Sequence, residues 1–381
     1  MKKKDQNTSF RMDGEPGLPA PRQAGTQDRP GKPKKAAKRR RYSRGVRGVV
    51  IACASLLSLL ALGIVTASIY AWVMLDRVNY EGEESFIPLE SLPPEEIDPD
   101  FSGEEMENPD DHAVDVSGVV VKGNTNDVTN FLLLGIDERA NSHRFVGRSD
   151  TTMILSVNKK TRTIKLISLL RDTWVTIPGR DKNGDGKDDY AKLNAAYAYG
   201  GFSLLSKTIE QNFRLKIDEY VAVNFGAFPI AVDALGGVDL ALTAGEAKIV
   251  GVGGGKAGTY HLNGERTLTY ARIRHLDSDF GRTARQRKVV TALINKAKGM
   301  NVVTLNNILY KVLPEVKTNM TSDEFLGFTI NVLTYAGYAV QSNYSVPQPK
   351  DYTGKYINGG AGLWLNDSRK SVVALHEYIY G

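Results

Sequence analysis

The sequence predicts an α/β domain, a central mixed β-sheet covered by helices, carried behind one transmembrane helix. Three observations predict it. Residues 48–75 run for 28 positions without a charge. Residues 130–135 (NFLLLG) form a continuous apolar run of the kind buried on both faces of a sheet. After the first strands, helical and strand-like periodicities mix within one segment, as in a sheet with helices packed on it.

Charge divides the 381 residues before any motif is read. The net charge of +6 conceals a balance of +11 over residues 1–47, −14 over 76–117 and +9 over 118–381. Residues 1–47, rich in Gly, Pro, Lys and Arg, read as a disordered basic tail. Nine basic residues and no acid lie between positions 32 and 47, abutting the apolar run. As a helix that run would reach roughly 42 Å, enough to cross a hydrocarbon core of roughly 30 Å with tilt. The positive-inside rule places the tail in the cytoplasm and the rest of the chain outside. A nucleic-acid-binding arm or a cleaved signal peptide fits less well, since the flank beyond is acidic and the run is long. Residues 76–117, acidic and carrying five prolines, read as an extracellular linker lifting the following domain off the membrane. Residues 118–381 are long enough for one domain. The single cysteine, Cys53, excludes an intramolecular disulfide and a Cys-rich zinc site.

Within the domain, 151–157 and 163–169 are β-rich runs joined by a polar NKKTR turn, a hairpin signal. A short strand at 174–177 stops at Pro178-Gly179. Helical spacing follows from Leu193 to Phe213, then a strand at 219–225 and a helix at 228–235 ended by Gly236-Gly237. Further elements are a strand at 238–242 and helices at 282–298, 302–312, 322–335 and 369–380. Residues 251–255 (GVGGG) lack a P-loop Lys-Ser/Thr and read as a flexible loop.

Two charged constellations could carry chemistry. Asp137, Asp150 and Asp172 each lie at a strand end, and the hairpin puts Asp150 and Asp172 at the same end of adjacent strands. Two such carboxylates suit Mg²⁺ beside a phosphate substrate; alternatively all three support turns. Five arginines crowd between Arg272 and Arg287. In an extended segment Arg272 and Arg274 point to one side, and in a helix Arg282, Arg285 and Gln286 share a face. Arginine favours bidentate phosphate recognition; the alternative is a solvated face bridged to Asp277 and Asp279. A third feature, DKNGDGKDD, places Asp181, Asn183 and Asp185 as in half an EF-hand loop, but Lys192 stands where a bidentate Glu is needed. It is a polar turn or a weak structural Ca²⁺ site. No Gly-x-Ser-x-Gly elbow is present, which excludes the usual serine hydrolase pattern.

The ordered blocks NFLLLGID, GRSDTTMIL, ISLLRDTWV, AKLNAAYAYGG, VNFGAFPIAVDALGGV, GTYHLNGERTLTYARIRH and DSDFGRTARQRKVV resemble the LytR-CpsA-Psr domain over roughly residues 128–300. The resemblance implies a membrane phosphotransferase of a Gram-positive cell wall that attaches teichoic acid, capsule or another glycopolymer. The donor would be a polyprenyl-pyrophosphate-linked glycan and the acceptor a peptidoglycan hydroxyl, with polyprenyl phosphate leaving and a pyrophosphatase side activity allowed. It implies Mg²⁺ on Asp150 and Asp172, with Asp137, Arg171, Arg272 and Arg274 catalytic. Lys192, Arg282, Arg285 and Gln286 would hold the substrate. The apolar faces of 204–213 and 225–235 would line a lipid groove. No nucleic-acid partner is expected. The competing readings are a non-catalytic lipid-glycan binder and a membrane-bound transcription attenuator.

Overall fold

The computed structural model describes residues 126–137, 147–181, 186–321, 334–357 and 360–381, with shorter pieces that include Asn79–Tyr80, Glu104–Glu105 and residues 118–120. The chain separates into two compact units, Met1–Ala61 and Leu62–Gly381. In the first, Ser55 and Ser58 are described, both helical and exposed. The basic tail at 1–47 and most of the run at 48–75 lie outside the described residues. Among the described residues no helix is long and apolar enough to cross a membrane.

The second unit begins with β1 (Asn79–Tyr80), β2 (Glu104–Glu105), β3 (Val128–Asp137), β4 (Arg148–Asn158) and β5 (Thr163–Leu169). Then come β6 (Trp174–Thr176), β7 (Tyr190–Lys192), α1 (Leu193–Phe213), β8 (Glu219–Asn224) and α2 (Ala227–Ala234). A small insert follows: β9 (Val238–Leu242), α3 (Ala244–Val250), β10 (Gly258–Leu262) and α4 (Gly264–Ala271). The rest is α5 (Asp279–Lys298), α6 (Val302–Val312), β11 (Val316–Thr318), β12 (Ala339–Val346), β13 (Tyr352–Ile357), β14 (Gly360–Leu365) and α7 (Ser368–Tyr380).

A seven-stranded sheet in the order β1-β11-β8-β3-β4-β5-β12 forms the middle layer. It is mixed: β3–β4 and β4–β5 are antiparallel, whereas β3–β8 and β5–β12 are parallel. Its central strands are apolar on both faces, which is why they read as continuous runs. Leu132, Leu134, Ile136, Ile154 and Ile167 pack against Leu205, Ile209 and Phe213 of α1 and Val372, Leu375 and Ile379 of α7. On the other face Phe131, Val157 and Ile164 meet Met320, Tyr338 and Ile294 of α5. A separate cluster of Val238, Leu240, Leu242, Ala247, Leu262, Tyr270 and Val289 fills the insert beneath α5.

Several readings are corrected. The segment 76–117 does not leave the domain as a free stalk at its described points. Asn79 and Tyr80 pair with Lys317 and Thr318, Glu104 and Glu105 pair with Lys355 and Tyr356, and Val116 is buried in the core. Residues 251–255 are not a loose loop: Gly253–Gly255 makes a tight 3₁₀ turn. Gly253 has φ +56, and a Cβ built there would stand 1.8 Å from the Tyr260 hydroxyl. Leu205, Ile209 and Phe213, read as groove lining, are core residues. In the EF-hand-like segment, Asp181 accepts from the Gly184 and Gly186 amides at 2.7 and 2.9 Å, so its carboxylate closes a turn. Asn183 and Asp185 lie outside the described residues, as does most of the expected helix at 322–335.

Candidate active site

The site begins with the β4–β5 hairpin. Its last ladder pair at one end is Thr152 with Leu169, so Asp150 and the loop that follows β5 lie side by side. That loop is clamped by backbone bonds. Leu170 N donates to Val346 O at 2.8 Å, Leu363 N to Asp172 O at 2.8 Å, and Leu193 N and Asn194 N to Thr173 O and Arg171 O at 2.9 and 3.1 Å. Sheet, β14 and the first turn of α1 therefore fix the backbone on which Arg171 and Asp172 stand.

Arg171 is the hub. Its Nη1 donates to Asp150 Oδ1 at 2.9 Å and its Nε to Asp172 Oδ2 at 3.3 Å. Asp279 Oδ1 is 4.0 Å from the same Nε. Arg274 Nη2 donates to Asp150 Oδ2 at 3.2 Å, and Lys192 Nζ lies 3.3 Å from Asp172 Oδ1. In the first turn of α5, Arg282 Nη2 sits 2.5 Å from Asp279 Oδ1. Four cations thus face three carboxylates in a half-buried cluster, and Arg282 is only 3% exposed.

The electrostatics are uneven. Burial pushes the Asp172 carboxyl up, but Arg171, Lys192 and Arg282 overcome it and hold the group below its ordinary value. For Asp279 burial wins over Arg282 and Arg171, and its carboxyl is raised. Burial likewise lowers Arg282 despite Asp279. Arg171 is held above its usual range, since Asp172, Asp150 and Asp279 together outweigh its burial. Several polar atoms along the start of α5 are buried with no hydrogen-bond partner: Asp279 Oδ2, Arg282 Nε, Arg285 Nε and Gln286 Oε1, whereas Arg282 Nη2 has Asp279 Oδ1 beside it. Of these, the arginine Nε–H groups are donors that cost free energy until an acceptor reaches them, and for Arg282 an anionic oxygen is the natural acceptor.

The expected site residues divide into two groups. Asp150, Arg171, Asp172, Lys192, Arg274 and Arg282 are brought together. Arg272 and Arg285 are drawn elsewhere. Arg272 and Arg274 were read as one side of an extended segment, but Arg272 closes α4, its amide bonded to Leu268 O, and its guanidinium lies 4.4 Å over the Phe225 ring. Arg285 forks onto Asp277 at 2.7 and 2.8 Å and donates to Ile273 O at 2.7 Å. That is the salt bridge of the alternative reading, on a buried face rather than a solvated one. Asp137 ends β3 with its backbone opposite Arg148; its side chain is outside the description. Asp279 is the member that sequence reasoning did not place in the site. Its signal was the Asp279–Arg282 spacing of three at a helix start.

For Mg²⁺, the donor chemistry fits: hard carboxylate oxygens converge, and Asp279 Oδ2 is buried without a partner. Asp150 and Asp172 now spend their oxygens on Arg171, Arg274 and Lys192, and among the described residues no three His, Cys, Asp or Glu side chains form a ready cage. A cation here would have few protein ligands, as Mg²⁺ beside phosphates commonly does.

Comparison with known proteins follows the same geometry. The LytR_cpsA_psr family matches residues 99–370. A protein of Bacillus mycoides named polyisoprenyl-teichoic acid–peptidoglycan teichoic acid transferase TagU is 31% identical over 283 residues, 72% of this chain and 81% of that one. The protein of the same name from Bacillus cereus is 35% identical over 218 residues, 55% of this chain and 66% of that one, so the chain spans just under two thirds of this relative's length. Among solved structures, B. subtilis TagT is 28% identical over 67% of this chain and 90% of its own, with a TM-score of 0.51. TagT bound to LIIa-WTA superposes with a TM-score of 0.52 over the same shares.

Proposed function

The chain belongs to the LytR-CpsA-Psr family, and from that premise we propose that it is a membrane-anchored phosphotransferase. It moves a glycopolymer from a polyprenyl-pyrophosphate carrier to a peptidoglycan hydroxyl. The observation that carries this reading is the cluster on Arg171, in which cations outnumber carboxylates and Arg282 keeps a buried Nε without a hydrogen-bond partner. A pyrophosphate supplies the oxygens that such a cluster lacks. The TagU relatives, named as polyisoprenyl-teichoic acid–peptidoglycan transferases, support the donor and acceptor classes.

In the proposed reaction the acceptor oxygen attacks the phosphorus that bears the glycan. A new O–P bond forms and the bridging P–O bond breaks, its electron pair leaving on polyprenyl phosphate. Arg274, Arg282 and Lys192 bind phosphate oxygens and stabilise the charge that builds on them, the main protein contribution to such a transfer. Arg171 holds Asp150 and Asp172 in register. Those two carboxylates would hold Mg²⁺, which would neutralise further phosphate charge. The hydroxyl proton passes to a base, for which Asp137 is the candidate. Topologically, residues 48–75 span the membrane, with 1–47 in the cytoplasm and the domain outside.

The test is turnover. Purified full-length chain in detergent is mixed with a polyprenyl-pyrophosphate glycan and Mg²⁺, and polyprenyl phosphate is measured. Release is expected, and Asp150→Ala or Asp172→Ala should abolish it with the fold retained. Tight binding without release would identify a lipid-glycan binder instead. Protease added to wall-stripped cells should remove the domain and spare the tail; the reverse pattern would overturn the orientation.

A further inference from the structure

Helix α6 presents an exposed stripe of Val303, Thr304, Asn307, Tyr310 and Lys311, with Val303 70% exposed. Its 11 residues contain no acid. The chain arrives at this helix directly from the long uncharged run. The Arg77 guanidinium lies 3.7 Å over the Tyr310 ring and donates to its hydroxyl. Asn79 and Tyr80 then join β11, the strand reached by the short turn after α6. Arg77 is two residues beyond Leu75, where the run ends, and two residues span at most about 7 Å.

We infer that the exposed stripe of α6 rests in the headgroup layer of the bilayer, so that this edge of the sheet is seated on the lipid surface. The inference rests on the reading of residues 48–75 as a membrane span. The chemistry of the stripe suits that layer. Val303 is an apolar contact, Tyr310 is an interfacial aromatic, and Lys311 can extend its ammonium to lipid phosphates along an apolar stem. An acid in the stripe would oppose this placement, and none is present. The acidic segment 76–117 then starts by stitching the domain down at β1, and Glu104 and Glu105 pair with β13.

The experiment uses the full chain with Cys53→Ala, reconstituted in vesicles of phosphatidylethanolamine and phosphatidylglycerol with brominated acyl chains. A single cysteine placed by Val303→Cys, or by Val373→Cys on α7 as a reference, carries an environment-sensitive fluorophore. Position 303 should emit to the blue and lose about twofold in intensity to the bromines, as for a helix seated roughly 5–10 Å deep; position 373 should do neither. If 303 stays water-like while the protein resists alkaline extraction, the seating is overturned and the span survives. A protein that washes out with 303 water-like overturns both. Equal quenching at 303 and 373 would mean unspecific adsorption, and a blue shift without quenching would mean a second copy covers the stripe; either result also overturns the seating.

Discussion

The first turn of α5 and the turn after it use the same residue type to opposite ends. Arg282, Arg285 and Arg287 are all buried. Arg287 donates to Ser342 O and Ser168 Oγ at 2.8 and 2.7 Å, tying α5 to β12 and β5. Arg285 is forked onto Asp277 and donates to Ile273 O, with Nε alone left without a partner. Arg282 pairs through Nη2 with Asp279 of its own helix, lies in the field of Asp150 and Asp172, and keeps a buried Nε without a partner. A buried arginine with several donors tied to the fold acts as a rivet. One held by a single ion pair is a binding group that stays costly until its ligand arrives. Burial and residue type do not separate the two; the inventory of acceptors does.

That contrast can be broken most sharply at Arg282. Arg282→Ala should lower turnover by about 10²–10³-fold, the effect of removing one donor to a developing oxyanion, while its unfolding midpoint moves less than that of the next variant. Comparable loss of stability and activity would make Arg282 another rivet. Arg287→Ala should destabilise by about 3 kcal/mol, because charged hydrogen bonds are lost and Ser168 Oγ is left buried. Urea unfolding would measure it, and turnover per folded molecule should persist.

Smaller effects sharpen the comparison. Arg274→Lys and Arg285→Lys keep charge and alter geometry. The first should weaken binding of a soluble polyprenyl pyrophosphate by calorimetry. The second should cost about 1 kcal/mol of stability, since an ammonium cannot make both bonds to Asp277, and leave binding intact. Weakened binding in Arg285→Lys would return that residue to the phosphate cradle.

The same logic applies to acids. Asp279 is half-buried beside arginines, whereas Glu219 is half-buried at the start of β8 beside Glu324 and Asp218, and its carboxyl is pushed up to about 7, mainly by burial and then by Glu324. Between the unfolded value of 4.5 and about 7 the native state holds the extra proton, so stability should fall as pH rises through that window. Glu219→Gln should flatten this slope and be the more stable form at pH 8. An unchanged slope in thermal unfolding across pH 4.5–8 would dismiss the Glu219–Glu324 repulsion.

Much of the fold was legible where apolar runs end at turns. The strands at 163–169 and 238–242 and the helix at 302–312 match residue for residue. Helix α3 was missed although its cap is written in the sequence: Thr243 and Glu246 form a reciprocal capping box. It is only seven residues long, too short to show a period. Strand β12 was missed because this edge strand exposes Ala339, Gln341 and Asn343 and buries only its last two residues. At the site, the hairpin alone placed Asp150 beside Asp172. Asp279 could not be found this way, because its neighbours come from the packing of α5 on the far end of the sheet. Nor could helical spacing foresee that Asp277, in the loop before α5, would capture Arg285.

The backbone clamp on the loop after β5 separates two kinds of inheritance. The position of residues 170–173 is written in amides and carbonyls of β12, β14 and α1, which no side-chain substitution erases. The charges displayed there are written in side chains alone. A lineage built on this scaffold is therefore free to vary the cluster one residue at a time, exploring other anionic donors or acceptors, without first having to reinvent the loop that presents them.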